Sequence, residues 1–236
     1  MMAFSGLSHI CASVAVPIIS TAQGARDWLA ANLHVSRETL GQLDRYIVAL
    51  RAENARQNLV SASTLDDDSI WCRHIVDSAQ LLLLAGQSGG TWVDLGSGAG
   101  LPGLIIAILA PQWRVTLVES RRLRCDFLKA IIRDDGLDRR VSVHHGRVET
   151  LAPAQYDVIS ARAFAPLDRL LPLARHLAGP ATLWLLPKGK NAQVELAALA
   201  PTWQTRFSVR PSLTSGESHI LVGHGAMNAK KAWKRG

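Results

Sequence analysis

VDLGSGAGLPG, residues 93–103, decides how the rest of this chain is read. An apolar run passes through four glycines into a segment whose early helical position holds Pro102. Glycine lets the backbone approach a ligand closely, proline is pre-set for a first helical turn, and a helix N-terminus offers N–H groups that lack intrahelical partners. A strand, a tight turn and a helix in this order place a nucleotide-like ligand above the turn.

Several ligands are compatible with such a turn. A Walker phosphate loop is excluded, because no Gly-Lys-Ser/Thr follows. The spacing Gly98, Gly100, Gly103 also satisfies the dinucleotide pattern GxGxxG, so a nicotinamide-dependent oxidoreductase is a real alternative, with His144 or His145 as its acid/base. Three features favour S-adenosylmethionine. Asp94 stands two residues before Gly96, giving a DxGxG form in which an acid at the strand end supports the loop; Ser97, Gly98 and Gly100 complete that loop. Leu101 puts bulk where a methyltransferase tolerates it. Glu119 ends the next apolar run, where a carboxylate accepts hydrogen bonds from both ribose hydroxyls.

Working outward, β-rich runs alternate with helical ones. Strands are predicted at Thr91–Leu95, Val115–Glu119, Val141–His144, Tyr156–Ala161 and Thr182–Leu186, with helices at 102–110, 121–135, 167–178 and 192–200. This alternation dictates a parallel sheet covered by helices. Two last runs, Thr205–Val209 and His219–Gly223, are joined closely enough to pair antiparallel. The expected class is therefore α/β: a Rossmann-like, mostly parallel seven-stranded sheet with a C-terminal antiparallel hairpin, the class I methyltransferase architecture.

Ahead of the sheet the chain reads as helical. Leu40, Leu43, Ile47 and Leu50 recur at steps of three and four behind Ser36, predicting a helix over 37–55, with a shorter one around 25–32. Thr64 is the expected cap of a third, from Asp66 to Ala85, with Asp66 and Asp67 in its first turn. The expected organisation is an extension over 1–24, a helical segment over 25–86, a catalytic domain over 91–225 and a basic tail over 226–236.

The chain has 236 residues and 48% apolar content, enough for a sizeable core, and its longest aliphatic run, Leu104 to Ala110, is too short to cross a bilayer. Residues 1–25 carry no Lys, Arg, Asp or Glu, so a secretory signal would lack its basic end. Three widely spaced cysteines, Cys11, Cys72 and Cys125, form no CxxC pair, which points away from zinc and towards a cytoplasmic protein; no metal site is expected. Lys230, Lys231, Lys234 and Arg235 account for over half of the formal net charge of +7, and such a tail suits a polyanionic partner.

An ordered series of motifs extends well beyond the loop: NLVS at 58–61, RHIVDS at 73–78, VES at 118–120 followed by Arg124 and Phe127-Leu128, GRVE at 146–149, SARAFAPL at 160–167 and PKGK at 187–190. With the glycine loop, this series resembles the RsmG (GidB) family of bacterial 16S ribosomal RNA methyltransferases, over roughly Leu59 to Lys190. The resemblance implies S-adenosylmethionine as cofactor, with contacts from Gly96, Leu101, Val148, Glu149 and Arg162, and Glu119 at the family's acidic position. It also implies methyl transfer to N7 of a guanosine in 16S rRNA, free or within a small subunit or its assembly intermediate, by a cytoplasmic protein expected to be a monomer.

Guanine N7 carries an in-plane lone pair and no proton, so no general base is expected. Consistently, the chain lacks the Asn/Asp-Pro-Pro-aromatic motif for exocyclic amines and the Pro-Cys nucleophile for pyrimidine C5. Cys125 reads as a small core residue. Arg162 is expected to pair with the cofactor carboxylate, with Glu149 or with an RNA phosphate, an ordinary ion pair being the plain alternative. Arg73 and His74 are candidate RNA contacts, although with Asp77 they also read as a knot docking the helix on the sheet. Arg121 and Arg122 crowd a helix start, which the helix dipole disfavours unless a phosphate comes near. Lys188 and Lys190 follow the fifth strand on the side where ligands gather.

Overall fold

The computed structural model describes residues 18–86 and 88–226; the expected extension up to residue 17 and the tail beyond 226 lie outside them. Seven strands form one sheet in the order β3-β2-β1-β4-β5-β7-β6. They are β1 (Gly90–Leu95), β2 (Trp113–Glu119), β3 (Val141–His145), β4 (Tyr156–Ser160), β5 (Ala178–Lys188), β6 (Phe207–Pro211) and β7 (His219–His224). The first five run parallel to their neighbours, and β7 enters antiparallel between β5 and β6. A dinucleotide-binding sheet in the order 3-2-1-4-5-6 has no such inserted strand.

Side chains alternate across the strands and build two cores. Trp92, Val115 and Leu117 face a layer made of α1 (Ala22–Leu33), α2 (Arg37–Gln57), α3 (Asp67–Ile70), α4 (Asp77–Ala79), α5 (Leu81–Ala85), α6 (Gly103–Leu109) and α7 (Arg122–Asp134). Val93, Leu95 and Val118 face the opposite layer, with α8 (Leu167–Ala174) and α9 (Ala192–Ala197) ahead of the short α10 (Pro201–Gln204).

Helix α2 starts where Ser36 accepts the Thr39 N–H at 3.1 Å and stops at left-handed Asn58, burying Leu43, Tyr46, Ile47 and Leu50 as the spacing predicts. The third helical run differs from expectation. Its cap is Asp66, which accepts the Ser69 N–H at 2.8 Å. Thr64 cannot serve, because its hydroxyl is engaged by the Ser61 carbonyl at 2.8 Å and His74 Nε2 at 3.0 Å. Between α3 and α4 the run widens into a π-helix over Trp71–Val76, an arrangement that concentrates at functional sites. Strand β5 begins four residues before the predicted Thr182, because its register with β4 shifts between the Tyr156–Ala178 and Val158–Leu183 pairs, and the extra β5 residues include Gly179 and Pro180.

The helical layer is fastened to the glycine loop by Tyr46, whose buried hydroxyl donates to the Ala99 carbonyl at 2.9 Å. Burial pushes that hydroxyl's pKa well above the ordinary tyrosine value, so it remains a donor throughout the physiological range. Tyr46→Phe leaves the carbonyl without this donor. A loss of about 1–3 kcal/mol in denaturant unfolding is expected; an unchanged midpoint would show that the contact does not hold the layers together.

Candidate active site

The loop after β1 is braced from below. Asp94, fully buried, accepts the Ser160 hydroxyl at 2.7 Å and the Gly103 N–H at 3.1 Å, and Ser160 in turn accepts the Trp92 indole N–H at 2.8 Å. Burial pushes the Asp94 carboxyl upward, against the pull of these donors. Gly96, Gly98 and Gly100 adopt φ of 70°, 57° and 93°, where only glycine sits without strain. The Gly96 and Ser97 N–H groups both reach the Val118 carbonyl, at 2.8 and 3.0 Å.

This bracing engages much of the loop within the protein itself. The N–H of Gly103 at the helix start is taken by Asp94, so it is not free for a ligand. Ser97 is buried with its hydroxyl on the Asp94 carbonyl at 3.0 Å, and Leu101 is packed into the helical-side core. A Cβ on Gly100 would strike Leu104 Cβ at 2.7 Å. Asp94, Ser97, Gly100 and the Leu101 side chain therefore shape the loop from behind, while Gly96 opens onto the crevice.

Glu119, at the tip of β2, accepts the Gly98 N–H at 3.0 Å and the Arg121 N–H at 2.8 Å, with Arg124 Nη1 3.8 Å away. Each carboxylate oxygen carries two lone pairs, so both keep an acceptor site. They line a cavity of about 370 Å³ with Gly96, Val118, Val148, Glu149 and Phe164. Val148 is a buried wall and Glu149 stands exposed at the rim, following Gly146, whose N–H is tied to the Glu119 carbonyl at 3.0 Å. A diol donating to Glu119 and an adenosyl group against Val148 fit this donor and acceptor set. Cys125 is buried, its thiol on the Glu119 carbonyl at 3.2 Å, as a core residue would be.

A second cavity of about 470 Å³ adjoins the first at Ala163 and Phe164, and is walled by Asp77, Arg162, Lys188 and Glu195. Arg162 lies beside Asp77 and the residues before it. Its Nη1 donates to the Arg73 carbonyl at 2.9 Å and lies 3.3 Å from Asp77 Oδ2, while Nη2 lies 3.3 Å from His74 Nδ1. The π-helix and the start of α4 thus present a backbone carbonyl, an imidazole and a carboxylate to one guanidinium.

His74 is 6% exposed, with Thr64 on Nε2 and Arg162 beside Nδ1, so both ring nitrogens already face protein groups. Lys188 is likewise not a free cation: its Nζ donates to the Ala165 carbonyl at 2.9 Å and to Glu195 at 2.8 Å, clamping the loop that carries Phe164. Arg73, Arg121, Arg122 and Lys190 are exposed, Arg122 lying 3.7 Å from Asp126. Phe164, Ser160 and Tyr46 were not singled out from the sequence. Only the motif SARAFAPL held a signal for the first two, and none marked Tyr46.

Residues 39–221 match the family model for GidB, described as rRNA small subunit methyltransferase G. The chain belongs to that family. A relative bearing the name Ribosomal RNA small subunit methyltransferase G in Rhizorhabdus wittichii is 51% identical over 203 residues, covering 86% of this chain and 92% of the relative. Its namesake in Sphingopyxis alaskensis is 49% identical over 221 residues, 93% of each chain. Among solved structures, a methyltransferase from Geobacter sulfurreducens aligns with a TM-score of 0.54 at 18% identity, over 82% of this chain and 98% of that one. A mutant of MtNAS in complex with S-adenosylmethionine aligns at 0.55 and 19% identity, over 86% of this chain and 83% of that one. These two likenesses concern the fold. As a member of its family the chain is a methyltransferase that uses S-adenosylmethionine, which removes the nicotinamide alternative.

Burial, then the neighbouring Arg162 charge, pushes the His74 pKa down to about 3 from an ordinary 6.5. Below pH 6.5 the unfolded chain takes a proton that the folded one refuses, so stability present at neutral pH is lost as pH falls towards 3. The stability gap between the wild type and His74→Gln is expected to narrow by up to about 1.4 kcal/mol per pH unit below pH 6. Urea unfolding at several pH values measures it, and a pH-independent gap would contradict the assignment.

Proposed function

We propose that this enzyme transfers the S-adenosylmethionine methyl group to N7 of a guanosine in 16S ribosomal RNA, guanosine 527 in the standard numbering, acting as a cytoplasmic monomer on the RNA or on a small subunit under assembly. Family membership supports the RNA substrate. The observation that carries the choice of atom is the second cavity, whose charged walls are already paired, Asp77 with Arg162 and Lys188 with Glu195. Its volume of about 470 Å³ lies within the usual range for small-molecule sites, about 300–1,000 Å³.

When bound, the sulfonium supplies an electrophilic methyl group that an in-plane nitrogen lone pair can take without prior loss of a proton. The protein's task is then to align and to dry. Glu119 holds the ribose, Gly96 allows close approach of the cofactor, and Phe164 lies where the two cavities meet. The Lys188 and Arg162 anchors hold the 163–166 loop against β5 and the π-helix, which positions both cavities relative to each other. Positive charge spreads over the guanine ring as the bond forms, and the Asp77 and Glu195 carboxylates in the walls favour it. Neutral, enclosed His74 takes no part in proton transfer. Arg73, Arg121, Arg122 and Lys190 lie exposed and are proposed to meet RNA phosphates.

Reverse-transcription mapping of 16S rRNA from cells with and without the protein tests this directly. The 7-methylguanosine signal should vanish at that one guanosine when the protein is missing, and its persistence would defeat the proposal. Glu119→Gln sets an amide N–H against the Arg121 N–H and weakens the grip on the ribose. The affinity for S-adenosylhomocysteine is expected to fall about 10- to 100-fold by calorimetry; unchanged affinity would remove Glu119 from the ribose.

A further inference from the structure

A third cavity, about 410 Å³, lies at the far end of the sheet from the cofactor crevice. Its walls come from the starts of four parallel strands: Thr91 on β1, Arg114 and Thr116 on β2, Ser142 on β3 and Tyr156 on β4, with Arg139 and Arg140 from the turn before β3. Arg114 and Arg139 are exposed, and neither they nor Arg140 take part in any ion pair found among the described residues. The one acidic residue in the lining, Asp138, is exposed to water.

Arg140 sets this cavity apart from an ordinary basic surface. Its Nη1 is buried and has no hydrogen-bond partner. A buried, unpartnered donor on a charged group is costly, and it calls for an acceptor that the described residues do not supply, from water, an ion or a ligand. Burial also pushes the Arg140 pKa downward. Three hydroxyl-bearing residues line the same cavity, the Tyr156 hydroxyl 3.4 Å and the Ser142 hydroxyl 3.5 Å from Thr116 Oγ1. At those lengths the contacts hold the hydroxyls only loosely, so they remain able to donate elsewhere.

We propose that this cavity is a phosphate-binding site, and that the phosphate belongs to the backbone of the RNA the enzyme methylates. The chemistry is that of a tetrahedral anion: planar guanidinium donors for paired oxygens, and hydroxyl donors for the remainder. A ligand that occupies this site and the active site together must be a macromolecule. Seven residues of β2, at about 3.3 Å each, set the cavity roughly 20 Å from the Glu119 tip, which is too far for one nucleotide to touch both ends. A folded RNA reaches both, and its grip here would fix the register of the target base over the cofactor at the other end. The RNA assignment rests on the function proposed above; the phosphate site does not.

The test uses the full chain, an Arg114→Ala/Arg139→Ala double variant and a separate Arg140→Met variant, each first shown to bind S-adenosylhomocysteine like the wild type. Binding of 16S rRNA is followed between about 50 and 200 mM salt, where each lost phosphate contact lowers the logarithmic slope by roughly 0.7–0.9. The double variant should lose one to two such contacts and raise KM for RNA several-fold at constant kcat; an unchanged slope and KM overturn the RNA assignment. In parallel, pyrophosphate at constant ionic strength should raise the Tm of the wild type and not that of Arg140→Met. Equal protection of both overturns the site itself. Pyrophosphate protection confined to the wild type, with no RNA binding by any form, would sink the proposed function and leave the anion site standing for a free phosphate compound.

Discussion

A carboxylate taken wholly out of water must find donors, and Asp94 finds them in two elements outside its own strand. Ser160 reaches it from β4, with Trp92 of β1 behind, and the Gly103 N–H reaches it from the start of α6. An unpaired charge at this depth would cost several kcal/mol, so β1, β4 and α6 can close only in the one arrangement that satisfies it. The glycine loop is stretched over that arrangement, and Glu119 ties its middle to β2. The crevice is thus preorganised by hydrogen bonds that lie beneath it.

The same economy governs the second cavity. Its cations are anchored before any ligand arrives: Arg162 to the π-helix and Lys188 to the 163–166 loop and Glu195. An enzyme whose nucleophile needs no deprotonation has no use for a free base there, and charges left unpaired would oppose the positive charge that develops on the substrate. The helical layer consequently forms part of the site. Widening of the backbone at Trp71–Val76 offers the Arg73 carbonyl and the Asp77 carboxylate to a guanidinium carried by the sheet.

Much of this was legible in advance. All seven strands fall where alternation and turn residues predict them, because a strand buried on both faces must be apolar and bounded by breakers. The ends were less legible. Thr64 and Asp66 are both good caps by composition, and only the position of His74 shows that the Thr64 hydroxyl is already engaged. At β5 the Gly179–Pro180 pair reads as a breaker, yet β5 absorbs it as extra residues at a shift of its register with β4.

What the sequence determined by itself was the chemistry of the crevice: a strand-loop-helix with glycines at fixed spacing and an acid closing the next strand is a local pattern, set by backbone geometry within a few residues. What only the tertiary structure decided was which polar side chains remain free. Lys188 and Lys190 are two residues apart in one motif, but one is locked to Glu195 and the other faces water. His74 is sealed by Thr64 and Arg162, the latter 88 positions away along the chain. Pairing and burial are properties of segments brought together from afar, and residue spacing does not encode them.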